Sequence, residues 1–201
     1  MKDNNKKRTS LTDNTEFSTE DLEKMWQAID QGDHDAEIAM ILCYTGMRPA
    51  ELLELKKTDV DVDARIIICG TKTESRHIPI HACIVPFVER LLQTDGDLLF
   101  MDYDSRIPST MAYSQFREYL WNPLMKRLGM PQCTPHYGRN TSQKMMQETE
   151  INDDIRLSIL GLYRGENTHH PDSMLIEAMD KIPGRNGEIV KVDYDRMLHA
   201  I

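Results

Sequence analysis

The sequence lacks any apolar run near the roughly 18 residues that a membrane-crossing helix needs, and its start, Met1 to Thr15, is polar and charged rather than patterned as a signal peptide. A cytoplasmic protein with no membrane partner is the expectation. Cysteine is sparse, and Cys43, Cys69, Cys83 and Cys133 never fall in a C-x-x-C pair. That speaks against zinc and disulfide frameworks and leaves small apolar thiols in a reducing compartment. Glycine and proline are few, 10 and 9 in 201 residues, which argues against a fibrous or disordered chain. Internal repeats and low-complexity segments are missing too. Basic charge is in short supply: 24 Lys and Arg stand against 33 Asp and Glu, a net charge of −9. A broad polyanion-binding surface normally leaves a basic footprint, so only a local basic pocket on an acidic body is compatible with nucleic-acid binding.

What is present is a folding pattern. With 40% apolar residues, 201 residues suffice for one domain with a real core. Residues 1–16 read as a polar lead or linker, and residues 17–201 as the domain. Ser18 and Asp21 have the spacing of a capping box, with Phe17 and Leu22 as its hydrophobic staple. Leu22, Met25, Trp26 and Ile29 then mark one helical face, and Gly32 is its expected stop. Ala36 to Tyr44 is almost continuously apolar, which predicts a central helix broken at Gly46. Pro49 suits the first turn of a following helix to Leu55. Ala64 to Cys69 and Arg76 to Ile80 read as two strands of a hairpin, with Val60 to Val62 as a third. Further helices are expected around Ile84 to Leu92, Tyr113 to Leu128 with a kink or break at Pro123, Thr141 to Glu148, and Asp153 to Leu160. After Leu162 the character changes. A short helix is expected over Ser173 to Lys181, and a strand over Glu188 to Tyr194. The fold class is therefore α+β, mainly α, with a small antiparallel sheet.

Two arginine motifs stand 91 residues apart: Thr45-Gly46-Met47-Arg48-Pro49-Ala50-Glu51-Leu52 and Thr134-Pro135-His136-Tyr137-Gly138-Arg139-Asn140-Thr141. Between them, Gly70-Thr71-Lys72-Thr73 would bring Lys72 to the hairpin tip. Such residues suit phosphodiester chemistry with neither metal nor other cofactor. Arginine offers a planar fork of donors and keeps its charge, so Arg48 and Arg139 would grip a phosphate. His136, three residues before Arg139, would donate a hydrogen bond or move a proton. Lys72 would protonate a leaving oxygen. Glu51, one turn after Arg48, would orient that arginine or His136.

Together these motifs resemble the catalytic domain of the tyrosine recombinases, the integrases of phages and mobile elements. The resemblance runs from about Phe17 to Leu162 and includes Ile151-Asn152-Asp153-Asp154-Ile155 through Ile159-Leu160-Gly161. It implies a helical catalytic domain that cuts and rejoins duplex DNA through a 3′-phosphotyrosine, with self-association into a synaptic dimer or tetramer and no small-molecule substrate. It implies Arg48, Lys72, His136 and Arg139 as catalytic residues and Glu51 as their support. The family's pattern is broken at Leu162 and in the tail, residues 163–201. Leu162 stands where a histidine or tryptophan donor is expected. The tyrosine expected about nine residues later is missing, since Glu166 to Asp172 contains none. Tyr194 takes that role if Arg164 to Lys191 holds an insertion; Tyr163 is the other candidate, and His169 or His170 would have to supply the missing donor. The resemblance also leaves no room within 201 residues for an N-terminal DNA-clamping domain. The alternative is a catalytically degenerate relative that binds DNA or regulates a full-length integrase.

Overall fold

The computed structural model describes residues 15–70, 75–100, 112–162 and 170–189. The first helix, α1 (Thr19–Asp30), starts as its sequence dictates. The Ser18 hydroxyl accepts from the Asp21 N–H at 3.2 Å, and the Asp21 carboxylate accepts from the Ser18 N–H at 3.1 Å. Phe17 is buried, and its N–H donates to Thr141 Oγ1 at 2.8 Å. The residues just before it are also engaged: the Thr15 carbonyl accepts from Asn140 Nδ2, and Glu16 pairs with Lys144. These contacts tie residues 15 and 16 to Asn140 and Lys144.

Helix α2 (His34–Thr45) is buried along every residue from Ala36 to Thr45. It packs against α1, against α4 (Val85–Leu92) and most extensively against α7 (His136–Glu148). Its near-uniform apolarity is therefore the mark of a core helix surrounded by others. Gly138 lets α7 approach closely, since a Cβ there would lie 2.7 Å from Leu42 Cβ. Gly46 ends α2 in the left-handed region at φ 64°. The chain turns there into α3 (Pro49–Glu54), with Arg48 as its N-cap.

Three antiparallel strands follow in the order β1 (Val60–Asp61), β2 (Ile66–Gly70), β3 (Ser75–Pro79). Ile67 pairs with Ile78, and Cys69 with Arg76, so these four share the inward face. Helices α5 (Tyr113–Gln115) and α6 (Asn122–Arg127) flank a π-helical stretch, Phe116–Trp121. At Pro123, where a kink or break is expected, the helix continues but widens just before the proline, and the Asn122 N–H donates to the Arg117 carbonyl five residues back. The wider turn accommodates a proline ring that would otherwise press on the carbonyl four residues earlier. Helix α7 begins at His136, five residues ahead of its expected start, so His136 and Arg139 lie in its first turns.

Helix α8 (Asp153–Leu160) matches its expected span and ends on Gly161 at φ 62°. The tail then returns to the body. Helix α9 (Asp172–Met179) packs on β3 and α8. Asp180 forms a two-pronged buried ion pair with Arg65, at 2.9 and 2.5 Å. His81 Nε2 donates to the Ile182 carbonyl and the Tyr44 hydroxyl to that of Pro183. Glu188 and Ile189, expected to open a strand, have none; the remainder of that segment lies outside the described residues. All four cysteines are free thiols, and burial pushes each of them up. No helix among the described residues is long and apolar enough to cross a membrane.

Candidate active site

The site forms where four chain segments meet: the α2–α3 turn, strand β3, the first turns of α7 and the end of α8. Arg48 owes its place to Gly46 and Pro49. The glycine ends α2, and the proline starts α3 with a preset φ, which leaves Arg48 extended at the junction. Its side chain is 45% exposed. The Arg48 N–H donates to Glu51 Oε2 at 2.7 Å, and its guanidinium donates to Glu51 Oε1 at 2.8 Å.

Glu51 has a second cationic partner. Arg76 on β3 donates from Nη1 to Oε1 at 3.0 Å and from Nη2 to Oε2 at 2.7 Å, a bidentate fork. Burial alone would raise the Glu51 carboxyl. The hydrogen bonds from Arg76 and from the Arg48 backbone outweigh that and hold it at about 2. Of the two expected targets, its carboxylate bonds to the arginine.

Arg139 is 8% exposed. Its Nη1 donates to the Gly46 carbonyl at 2.7 Å, and its Nη2 donates to the Leu160 carbonyl at 2.5 Å. It thus ties the end of α2 to the end of α8, each of which has carbonyls no helical N–H can reach. Burial lowers its affinity for its proton, and the charges of Arg48 and Arg76 lower it further, to about 10. It still carries a full charge at neutral pH. Three guanidinium groups around one carboxylate leave two positive charges uncompensated within the cluster. On a chain of net charge −9 this is a local cationic pocket.

His136 is exposed on the first turn of α7, and its ring meets that of Tyr113 edge-on at 6.3 Å between centroids. Leu162 is 41% exposed just past Gly161 and offers no side-chain donor. His170 is half-buried ahead of α9. Lys72, Tyr163, His169 and Tyr194 lie outside the described residues; the Gly70–Ser75 pair is the last of the β2–β3 ladder.

Arg76 escapes a reading by motif. The signal that finds it is strand alternation: Arg76 shares the inward face of β3 with fully buried Ile78. A charged residue on that face requires a buried counter-charge.

The profile of the phage integrase family matches residues 16–169. Tyrosine recombinase XerA of Thermococcus onnurineus is 31% identical over 127 residues, 61% of this chain and 44% of the relative. The chain spans 31% to 44% of the length of the curated relatives it matches. Among solved structures, a crystal structure of XerA recombinase aligns at a TM-score of 0.60 with 26% identity, over 81% of this chain and 62% of that one. The fold is also that of the Tn1549 transposon integrase in complex with transposon right end DNA, at a TM-score of 0.61 and 18% identity, over 90% of this chain and 62% of that one. With the profile covering most of its length and the arginine cluster at the meeting point of the matched segments, the chain belongs to the phage integrase family.

Proposed function

We propose that this chain carries the catalytic site of a site-specific DNA recombinase, which breaks and rejoins a phosphodiester through a 3′-phosphotyrosine. The observation that supports this best is the convergence of Arg48 and Arg139, distant in sequence, on one cationic pocket steadied by Glu51. In this reading the two arginines bind the non-bridging oxygens and stabilise the charge that builds up on them during displacement. His136 adds a hydrogen bond to the same phosphate. The phenolic oxygen of Tyr194 attacks phosphorus, and the bond to the 5′-oxygen breaks as Lys72 protonates it. Reversal on a partner strand restores the phosphodiester and frees the tyrosine, so no bond energy is lost and no cofactor is consumed. The partners are duplex DNA and further copies of the recombinase, because exchange requires more than one site in a synapse.

One observation favours a second reading, a degenerate relative that binds DNA or regulates a full-length integrase. Leu162 has an exposed apolar side chain where a donor would face the phosphate. Loss of one transition-state donor costs on the order of 10²-fold or more in rate.

A suicide duplex, nicked beside the scissile phosphate and taken from the flanks of the encoding element, separates the two. A covalent protein–DNA adduct that Tyr194→Phe abolishes and Tyr163→Phe leaves intact is the expected result. Loss in Tyr163→Phe instead would reassign the nucleophile. Binding through Arg48 and Arg139 without any adduct would establish the degenerate reading.

A further inference from the structure

We propose that Arg76 is a positioning residue of this site, locking the Glu51 carboxylate so that Arg48 is held ready for a phosphate and α8 is held to the same frame. The inference rests on the recombinase reading above. It starts from the number of bonds Arg76 makes. Its fork engages both oxygens of Glu51, each of which also accepts from Arg48, one from the backbone and one from the side chain. Its Nε donates to the Ile159 carbonyl at 3.0 Å, one residue before the carbonyl that Arg139 takes. Arg76 and Arg139 therefore accept adjacent turns of duty at the C-terminal end of α8. Gly161 leaves the room for this, since a Cβ there would lie 3.0 Å from Arg76 Cδ and 3.1 Å from Nε.

The chemistry explains why an arginine stands here. The side chain must fill three acceptors at once, two on Glu51 and one on Ile159, from a single rigid plane. Lysine supplies the charge and not the planar fork. Without Arg76, Glu51 loses its two-pronged clamp and is free to turn, and the Arg48 guanidinium loses its fixed heading. Arg76 itself is only 14% exposed and spends its donors on protein groups, so it acts through Arg48 and not on the phosphate.

Two readouts on the full chain test this, each with Arg76→Gln and the milder Arg76→Lys. The first is single-turnover cleavage of the suicide duplex. Misplacing a phosphate-gripping group by about 1 Å costs roughly 10²-fold, so a loss of that order is expected in Arg76→Gln, with DNA affinity changed by less than about threefold. The double variant Arg76→Gln/Glu51→Gln is expected to cleave no more slowly than the worse single variant, because both act through one contact. Multiplying losses, or an unchanged rate in Arg76→Gln, would overturn the proposal. The second readout needs no cleavage: guanidinium nitrogen–proton NMR spectra, with Arg48 assigned by its loss in Arg48→Lys. Slow rotation of the Arg48 guanidinium in the wild type that becomes fast in Arg76→Lys is expected. Identical Arg48 signals in the two proteins would overturn the positioning role. A wild type that forms no adduct counts against the recombinase reading alone, and the NMR arm still decides the role of Arg76.

Discussion

Glu51 sits at the balance point of the site, and its titration is the simplest property to test. Its ordinary value is 4.5 and the folded protein holds it at about 2: burial opposes ionisation, and the hydrogen bonds of Arg76 and Arg48 overcome it. A carboxylate depressed on folding stabilises the native state fully above its ordinary value. That stabilisation is lost as pH falls from about 4.5 toward about 2. In acid titrations followed by urea unfolding, Glu51→Gln should flatten this part of the stability curve relative to wild type. An unchanged slope between pH 4.5 and 2 would place the acid sensitivity on other carboxylates. Arg48, Glu51 and Arg139 were legible in the sequence because each sits in a compact motif whose neighbours, Gly46 and Pro49 above all, also fix the backbone. Arg76 was legible only as a charged residue on an inward strand face. Its partner is 25 residues away, and one-dimensional spacing does not reveal that pairing.

Elements that were read well are those with a strong local signal, such as the Ser18 capping box, the apolar run of α2 and the span of α8. The start of α7 escapes a reading by periodicity because its first turns carry Tyr137, Gly138, Arg139 and Asn140 and not an apolar stripe. Tertiary contacts hold that turn in place: Arg139 reaches Gly46 and Leu160, while Gly138 sits against α2. Gly138 has ordinary helical φ, so its role is steric. Gly138→Ala would drive a methyl to 2.7 Å from Leu42 Cβ and 3.2 Å from Leu42 backbone carbon. Overpacking of this kind costs about 1–3 kcal/mol, so the midpoint of chemical denaturation should fall; an unchanged midpoint would mean that α2 and α7 separate without penalty. The tail offers a second test. Arg65 and Asp180 are 6% and 7% exposed at their side chains, and they anchor the stretch after α9 to the turn before β2. Asp180→Ala leaves Arg65 buried without its carboxylate, which costs about 3–5 kcal/mol. Arg65→Met/Asp180→Leu should recover a large part of that loss in the same denaturation experiment. If it does not, the pair is needed for more than neutralising its own burial, as the Arg65 Nε bond to the Ile80 carbonyl would suggest.

At the scale of the whole molecule, the acidic body and the cationic pocket would make opposing demands on the DNA of the proposed reaction. A net charge of −9 repels the duplex at long range, while the pocket offers two uncompensated positive charges at short range. The consequence is a small phosphate footprint. Each phosphate neutralised contributes about −0.9 to the slope of log affinity against log salt, so a site gripping one or two phosphates should give a slope between about −1 and about −2. Broad basic surfaces that contact 6–10 phosphates give slopes several times steeper. Fluorescence anisotropy with a labelled duplex between about 50 and 200 mM salt measures this directly. Arg48→Gln should make the slope shallower by about one, because that side chain is exposed and reaches a phosphate in the proposed site. Glu89→Gln, on the exposed side of α4 and outside the arginine cluster, should leave the slope unchanged while raising affinity slightly through reduced repulsion. A slope of −6 or steeper would require many phosphate contacts that neither the composition nor the described surface supplies. Tight binding by this chain would then have to come from a second copy or from further protein in contact with the same DNA, and a slope that steepens with protein concentration would distinguish the former.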